Sequence, residues 1–382
     1  MSRPLLIDYW CHGYATGYGI AGQRLVAALL DHGVSVRWTP IDFHISEPRF
    51  DPDRPSHGGL DSYRSTSGQP DVLVVHATPE LIPAAERHRG EAALVCHTVW
   101  ETDRIQDHWP DLLNRCDLVV VPTEWNAEVF RDGGVTTPVV VVPHVCPPLV
   151  AEADTAWLDH LAGRFVVYSI AAWSSRKAPW QTIDCVARAF GATDEVVLVL
   201  KSGREIDDSL LADRSVAPEL SQRTWVALAK ALARVGPAPE VVLADQVLTD
   251  AQVRGLHERG DCWLSLPHSE GWDLGAFDAA VSGTPVVTTD WGGPASYLDP
   301  DASWLVPTDL VPAQVGDLAP DPRSRWAEPN LERAVEMLRA VRADPDAARR
   351  RAAGQAERLA REYAPDSVAA TFVAEVNRLL DG

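Results

Sequence analysis

The chain lacks the features that mark membrane, nucleic-acid-binding and disulfide-stabilised proteins. No apolar run approaches the ~20 residues of a membrane-spanning helix, and residues 1–4 lead directly into an apolar segment rather than a secretion signal. The net charge of −20 argues against nucleic acid, whose phosphates require a basic surface. The six cysteines form no C-x-x-C pair, which indicates reduced thiols. We therefore expect a cytoplasmic protein with no membrane span and no nucleic-acid partner.

Metal-binding signatures are also missing. His12, His144 and His268 lie near predicted loops, but no pair of histidines has ligand spacing and no Asp-x-Asp stands out as a metal site. We predict neither a bound metal nor a resident cofactor.

The pattern along the chain indicates an α/β protein. Short apolar runs alternate with helical patterns throughout, which is typical of βα units and parallel sheets. A chain of 382 residues with 46% hydrophobic content fits two domains better than one. We predict two Rossmann-like domains, over 1–145 and 146–365, with a final helix at 367–380. Segments 44–70 and 307–330 are rich in proline and turn-forming residues, so we predict surface loops there.

The most informative segment runs from Glu270 to Asp278. Two carboxylates bracket a stretch that contains two glycines, and a buried strand follows. We interpret it as a loop leading into a short helix, whose N-terminus offers backbone N–H groups to an anion. Carboxylates beside such a site can accept hydrogen bonds from sugar hydroxyls. The segment therefore suits a nucleotide sugar, and we assign its residues to donor binding: Glu270, Gly271, Trp272, Asp273, Leu274, Gly275 and Asp278.

Two adjacent cations, Arg176 and Lys177, follow the first predicted strand of the second domain. In an acidic protein, such a pair on a loop that enters a helix suits a diphosphate leaving group. The alternative is an ordinary surface pair.

The first domain carries two further candidate sites. Gly17 and Gly19 belong to a glycine loop after the first strand. Because this loop contains a G-x-G-x-x-G core, an NAD-dependent dehydrogenase is an alternative function. The acidic residue that such a site needs after the second strand, however, lies later in the sequence than expected. His97 follows another predicted strand, where open α/β sheets place ligands. We choose it as a residue of the catalytic centre, with a structural histidine as the alternative. Trp100 and Glu101 are candidates for acceptor binding, or else for packing and a helix N-terminal charge.

The segment from Glu270 to Asp278 resembles the E-x7-E region of GT-B glycosyltransferases, most of all the retaining enzymes of family 4. The resemblance lies in the Glu270-x7-Asp278 spacing and in the Gly-Thr-Pro-Val-Val sequence that follows at 283–287. The resemblance implies two domains facing a cleft, with a C-terminal helix over 366–382 crossing back to the N-terminal domain. It implies that Glu270 holds donor-sugar hydroxyls and that Asp278, one methylene shorter than the usual Glu, holds the ribose.

The same resemblance assigns the remaining candidates. His97 would face the reacting sugar, Gly17 and Gly19 would lie against the donor, and Lys177 would bind the diphosphate. The sequence departs from the family pattern at three further places. Asp273 and Gly275 replace the common Gly and Pro, and an early arginine is replaced by alanine or Trp173, so that Arg176 would have to act instead.

The implied function is metal-independent transfer of a hexosyl group, with retention, from a nucleoside-diphosphate sugar to a hydroxyl of a small molecule or glycan. The first domain would bind the acceptor and the second the donor. The sequence does not decide whether the chain forms a homo-oligomer. It also leaves two alternative functions besides the dehydrogenase: an inverting GT-B transferase, with His97 or an Asp as base, and a non-catalytic nucleotide-sugar-binding homologue.

Overall fold

The computed structural model describes residues 5–41, 59–147, 152–206, 215–217, 220–314 and 323–382. The chain divides into two compact units. The first unit contains the described residues up to Trp100, those from Arg104 to Pro147, and Ala360–Gly382. The second unit contains Glu101–Asp103 and the described residues from 152 to Leu359. The predicted domains met between 145 and 146, whereas these units meet after Pro147. The predicted loop over 44–70 lies mostly outside the described residues.

Each unit contains a six-stranded parallel sheet, and the second also carries a hairpin. The sheet orders are β2-β1-β3-β4-β5-β6 and β12-β11-β10-β7-β8-β9. The strands are β1 Leu6–His12, β2 Ser35–Ile41, β3 Val72–His76, β4 Ala93–His97, β5 Leu118–Val121, β6 Val139–Val141, β7 Phe165–Ile170, β8 Val196–Lys201, β9 Glu240–Ala244, β10 Cys262–Ser265, β11 Val286–Thr289, β12 Trp304–Val306, β13 Thr308–Pro312 and β14 Arg325–Pro329.

Helices connect these strands and complete the α/β architecture. They are α1 Gly17–Asp31, α2 Ile82–His88, α3 Trp109–Leu113, α4 Glu124–Asp132, α5 Pro179–Ala189, α6 Thr224–Val235, α7 Asp250–Arg259, α8 Leu274–Val281, α9 Gly293–Tyr297, α10 Leu331–Ala343, α11 Pro345–Glu362 and α12 Pro365–Asp381. The predicted fold class is confirmed, with two parallel six-stranded sheets and helices around them.

The C-terminal helix α12 belongs to the first unit, as the predicted fold class requires. Strand β1 turns Ile7, Tyr9 and Cys11 to one apolar core, which α1 and α12 cover. Phe372 of α12 is fully buried there, with its ring centroid 6.4 Å from that of Tyr9. Burying one such side chain contributes roughly 1.5–3 kcal/mol. The apolar face of α12 therefore ties the end of the chain to its first strand.

Segment 307–330 is a correction to the sequence prediction. We expected a loop, but β13 and β14 form an antiparallel hairpin whose register pairs Thr308 with Pro329. Its prolines indicated a loop, but Pro312 and Pro329 lie at the ends of the ladder, where a strand tolerates proline. Trp326 stacks on His268 with centroids 4.5 Å apart. This stacking anchors the hairpin beside the segment that follows β10.

Both sheets reverse their strand order at one point. In the first the reversal lies between β1 and β3, and in the second between β7 and β10. Open α/β sheets bind ligands at such switch points, beyond the carboxyl ends of the strands. The loops that follow β7 and β10 are therefore the first place to look for a site in the second unit.

The two glycines proposed for the first loop differ in what surrounds them. A Cβ at Gly19 would lie 1.9 Å from the Tyr14 carbonyl oxygen, whereas a Cβ at Gly17 would meet no described atom within 4 Å. We expect Gly19→Ala to lower the free energy of unfolding by about 1–3 kcal/mol, the usual cost of overpacking. Gly17→Ala is the matched control and should leave it within about 0.5 kcal/mol. Urea unfolding measures both, and equal stabilities would contradict this account of the loop.

Candidate functional site

The strongest candidate site lies at the switch point of the second unit. The loop from β7 to α5 contributes Arg176 and Lys177, and the loop from β10 to α8 contributes Glu270. The backbone N–H of His268 donates to the Arg176 carbonyl oxygen at 2.8 Å and so ties the two loops together. Residues separated by about ninety positions in sequence thus form one cluster.

Glu270 is the centre of this cluster. Arg176 Nη1 donates to its Oε2 at 2.9 Å, and Lys177 Nζ donates to its Oε1 at 2.5 Å. Arg176 also donates to the Ser269 carbonyl oxygen at 2.8 Å and lies 3.4 Å from Glu101. Glu270 is only 6% exposed. Both oxygens of a buried carboxylate are therefore held by cations.

The local charges keep this cluster ionised. Burial alone would raise the pKa of Glu270, but the charges and hydrogen bonds of Arg176 and Lys177 outweigh it and hold that pKa below its usual value. Burial alone would lower the pKa of Arg176, but the charges of Glu101 and Glu270 outweigh burial and raise that pKa above its usual value. Arg176 therefore stays charged beside an ionised Glu270.

Asp273 caps helix α8 from an unusual backbone conformation. Its φ of 63° is left-handed, and its Oδ1 accepts a hydrogen bond from Ala276 N–H at 3.2 Å, so Asp273 is the N-cap of α8. Its other oxygen, Oδ2, is buried and has no hydrogen-bond partner within the described part of the chain. Burial, followed by the charge of Glu270, raises the pKa of this carboxyl to about 7.

Close backbone contacts fix the loop that carries these carboxylates. Gly293 N–H donates to the Glu270 carbonyl oxygen at 2.8 Å, and a Cβ at Gly293 would lie 2.3 Å from the Gly271 carbonyl oxygen. Tyr297 donates its hydroxyl to the Asp273 carbonyl oxygen at 3.1 Å. The Gly292-Gly293 turn therefore positions the site residues.

Several donor-binding candidates also have packing roles. Trp272 is 4% exposed, and its ring centroid lies 4.8 Å from that of Tyr297. A Cβ at Gly275 would lie 2.2 Å from the ring of Trp263, so this position requires glycine for packing. Asp278 is buried inside α8. Leu274 and Gly275 form the start of α8, where backbone N–H groups have no partner within the helix.

His97 lies in the first unit, at the carboxyl end of β4, and is 1% exposed. Its ring stacks on His76 with centroids 3.8 Å apart, and its Nδ1 lies 3.3 Å from the Tyr9 hydroxyl. Burial and the neighbouring His144 lower its pKa well below the usual value, so the ring is neutral. Its Nε2 is buried and has no hydrogen-bond partner among the described residues.

The remaining candidates have different surroundings in the structure. The Trp100 ring packs 4.6 Å from that of Trp109, and its backbone N–H donates to Asn126 at 2.9 Å; these contacts favour packing over acceptor binding. Glu101 groups with the second unit and contacts Arg176. Gly17 begins α1.

Sequence reasoning missed one polar residue at this site. Ser269 supplies a carbonyl oxygen to Arg176, and its buried Oγ has no hydrogen-bond partner among the residues described. Its only signal in the sequence is its position next to Glu270.

Comparisons with known proteins identify the fold. No protein-family model and no curated protein sequence matches the chain. Among solved structures, a sucrose-phosphate synthase from Thermosynechococcus elongatus is similar over 99% of both chains, with 14% identity and a TM-score of 0.70. An α,α-trehalose-phosphate synthase (UDP-forming) from Burkholderia vietnamiensis covers 99% of this chain and 100% of its own, with 14% identity and a TM-score of 0.68.

A third structure, Anabaena Alr3699/HepE in complex with UDP, covers 98% of this chain and 100% of its own at 13% identity, with a TM-score of 0.64. These structures are GT-B glycosyltransferases, and the chain has their GT-B fold over nearly its whole length. Within the described ranges, no helix has both the length and the apolar character needed to cross a membrane.

The ion cluster yields a prediction about stability. We expect Arg176→Ala to lower the free energy of unfolding by about 1.5–3 kcal/mol, because Glu270 and the Ser269 carbonyl lose charged hydrogen bonds. The loss should be smaller in a Glu270→Gln background, where no buried charge is left unpaired. Urea unfolding at pH 7.5 of the four proteins in this cycle measures the coupling.

Arg188→Ala is the matched control, because its pair with Asp184 is exposed and joins residues four apart on a helix. It should change stability by no more than about 0.5 kcal/mol. An equal cost of Arg176→Ala in both backgrounds would mean that the contact with Glu270 is not the source.

Proposed function

We propose that this protein is a glycosyltransferase, resembling retaining family 4, that moves a hexosyl group from a nucleoside-diphosphate sugar to a hydroxyl of a small molecule or glycan. The observation that carries the proposal is the Glu270 carboxylate held by Arg176 and Lys177 at a switch point. The similarity to structures named as sugar-phosphate synthases and to a UDP complex supports it.

The second unit would bind the donor. Arg176, Lys177 and the N-terminal N–H groups of α8 would stabilise the negative charge that grows on the departing diphosphate. This arrangement supplies the charge that a metal would otherwise provide, so we propose a reaction without a bound metal or other cofactor.

Glu270 and Asp278 would have separate roles in donor binding. Glu270, held by both cations, would accept hydrogen bonds from hydroxyls of the donor sugar, and its ionised state suits it as an acceptor. Asp278 would accept from the ribose. Gly271, Trp272, Leu274 and Gly275 would shape the donor pocket mainly through backbone path and packing.

The first unit would contribute His97 and the loop of Gly17 and Gly19. A neutral, buried imidazole whose Nε2 has no hydrogen-bond partner among the described residues can donate or accept one hydrogen bond. This property supports a contact between His97 and a hydroxyl of the reacting sugar or the acceptor. Glu101, beside Arg176, would act near the acceptor, whereas the packing of Trp100 limits it to a supporting role.

For stereochemistry we propose retention. The bond from the anomeric carbon to the diphosphate oxygen breaks, the acceptor oxygen bonds to the same face, and the acceptor proton passes to the departing phosphate. NMR analysis of the anomeric proton in the fresh product separates this course from the inverting alternative, in which His97 or an Asp would take the proton.

The proposal predicts large losses on removing the central charges. We expect Glu270→Ala and Lys177→Ala each to reduce transfer by roughly 100-fold or more, because charge stabilisation in the transition state is typically of this size. Sugar transfer and donor hydrolysis should both be assayed. Lys230→Ala and Glu332→Ala, which remove exposed charges of the same types, are the matched controls. Full activity in both site variants would reject the assignment.

Donor binding can be tested before an acceptor is known. We expect a thermal shift with one or more of the UDP-, GDP-, ADP- and dTDP-sugars, with UDP-sugars tested first, and none with NAD. A shift with NAD alone would favour the dehydrogenase. Donor binding measured by calorimetry without turnover on any acceptor would favour a non-catalytic homologue.

A further inference from the structure

Asp273 is a carboxylate that the structure holds firmly in the donor site. The described residues contain two non-glycine positions with positive φ, Ala178 and Asp273, and each directly precedes a helix that borders the cluster. At Asp273, the hydrogen bond from Ala276 N–H to Oδ1 fixes the side chain, and the one from Tyr297 to the carbonyl oxygen fixes the backbone. The carboxyl group therefore cannot swing out of the site without losing the cap of α8.

The free oxygen of this group is unusual for a buried carboxylate. Asp273 is 7% exposed, and Oδ2 has no hydrogen-bond partner in the described ranges of the chain. A buried oxygen without a partner costs stability. Such a group needs a hydrogen-bond partner that the described residues do not supply, such as a ligand, an ion or a water molecule.

The charge balance of the cluster indicates which ligand contact is feasible. The groups that act on Asp273 are Glu270, Lys177 and Arg176, and Arg176 also contacts Glu101. Two cations thus face three carboxylates before any ligand binds. A diphosphate would add further negative charge, so its binding favours removal of one carboxylate charge.

Asp273 is more easily neutralised than Glu270. Its pKa is already raised to about 7 by burial and by Glu270, whereas Arg176 and Lys177 hold the pKa of Glu270 below its usual value. Once protonated, Asp273 has an O–H donor in place of a repelling charge.

We propose that Asp273 recognises the donor as a neutral carboxylic acid, so that binding of the diphosphate takes up one proton from solvent at Oδ2, whose O–H then donates a hydrogen bond to a phosphate oxygen. The proposal rests on the proposed donor site. It makes Asp273 a specificity-determining residue that couples donor affinity to pH.

The direction of the pH dependence follows from linkage. An anionic ligand raises the pKa of Asp273, so the bound state holds more protons than the free state above pH 7. Donor affinity should be nearly constant below about pH 7 and should fall toward tenfold per pH unit above it.

The test is isothermal titration calorimetry of the full chain with UDP, GDP, ADP and dTDP between pH 7 and 8.5. This range avoids most of the ionisation of the terminal phosphate, which occurs near pH 6. Titrations in two buffers of different ionisation enthalpy give the number of protons taken up. We expect uptake to approach one proton in the wild type at pH 8.5.

Two variants isolate the residue. Asp273→Asn keeps the cap, the left-handed backbone and a neutral donor, so it should take up no proton and bind the diphosphate roughly 30-fold more tightly than the wild type at pH 8.5. Asp273→Gly removes the side chain without backbone strain and should also show no uptake. Asp344→Asn, which alters an exposed N-cap on α11, should behave as the wild type does.

The outcomes distinguish this inference from the proposed function. A diphosphate that binds the wild type with no uptake, or with the same uptake in Asp273→Asn, overturns the inference and leaves the donor site standing. The inference also fails if the UDP-sugar binds more tightly than UDP, this difference depends on Asp273, and no proton is taken up. An ionised Asp273 would then be accepting a hydrogen bond from the sugar. If none of the four diphosphates binds, the proposed function fails and this inference fails with it.

Discussion

The ion cluster around Glu270 is the interaction on which the second unit's site depends. A carboxylate with little exposure is stable there only because Arg176 and Lys177 each hold one of its oxygens. These three charges come from two loops that meet because β7 and β10 are neighbours in the sheet. The cluster therefore joins the sheet topology directly to the chemistry that we propose.

Glycine determines how closely the backbone can approach this cluster. Gly292 and Gly293 lie against the backbone of Glu270 and Gly271, and Gly275 lies against the ring of Trp263. These contacts leave the carboxylate loop few alternative paths. Two residues further along this loop, Asp273 is left-handed, with one oxygen capping α8 and the other buried. The protonated Asp273 that we propose depends on this fixed orientation, because a side chain free to turn away would not keep Oδ2 in one place.

Much of the fold could be predicted from local patterns. Alternating apolar runs and helical periodicity indicated two parallel sheets and a final helix, and that helix packs through Phe372 and Val376. The hairpin of β13 and β14 could not be predicted, because prolines that normally mark loops sit at the ends of its ladder. Its stability comes from contacts distant in sequence, such as Trp326 on His268.

The sequence by itself determined which residue types were available: two adjacent cations, two spaced carboxylates, and glycines before helices. The tertiary structure decided which of them meet. It joined Arg176 and Lys177 to Glu270, set Trp100 in a packed core, and buried His97 as a neutral ring. Only the structure left Asp273 with an oxygen that lacks a partner among the described residues. The physical reason is that charge, burial and hydrogen bonding depend on distances between segments, and sequence spacing does not specify those distances.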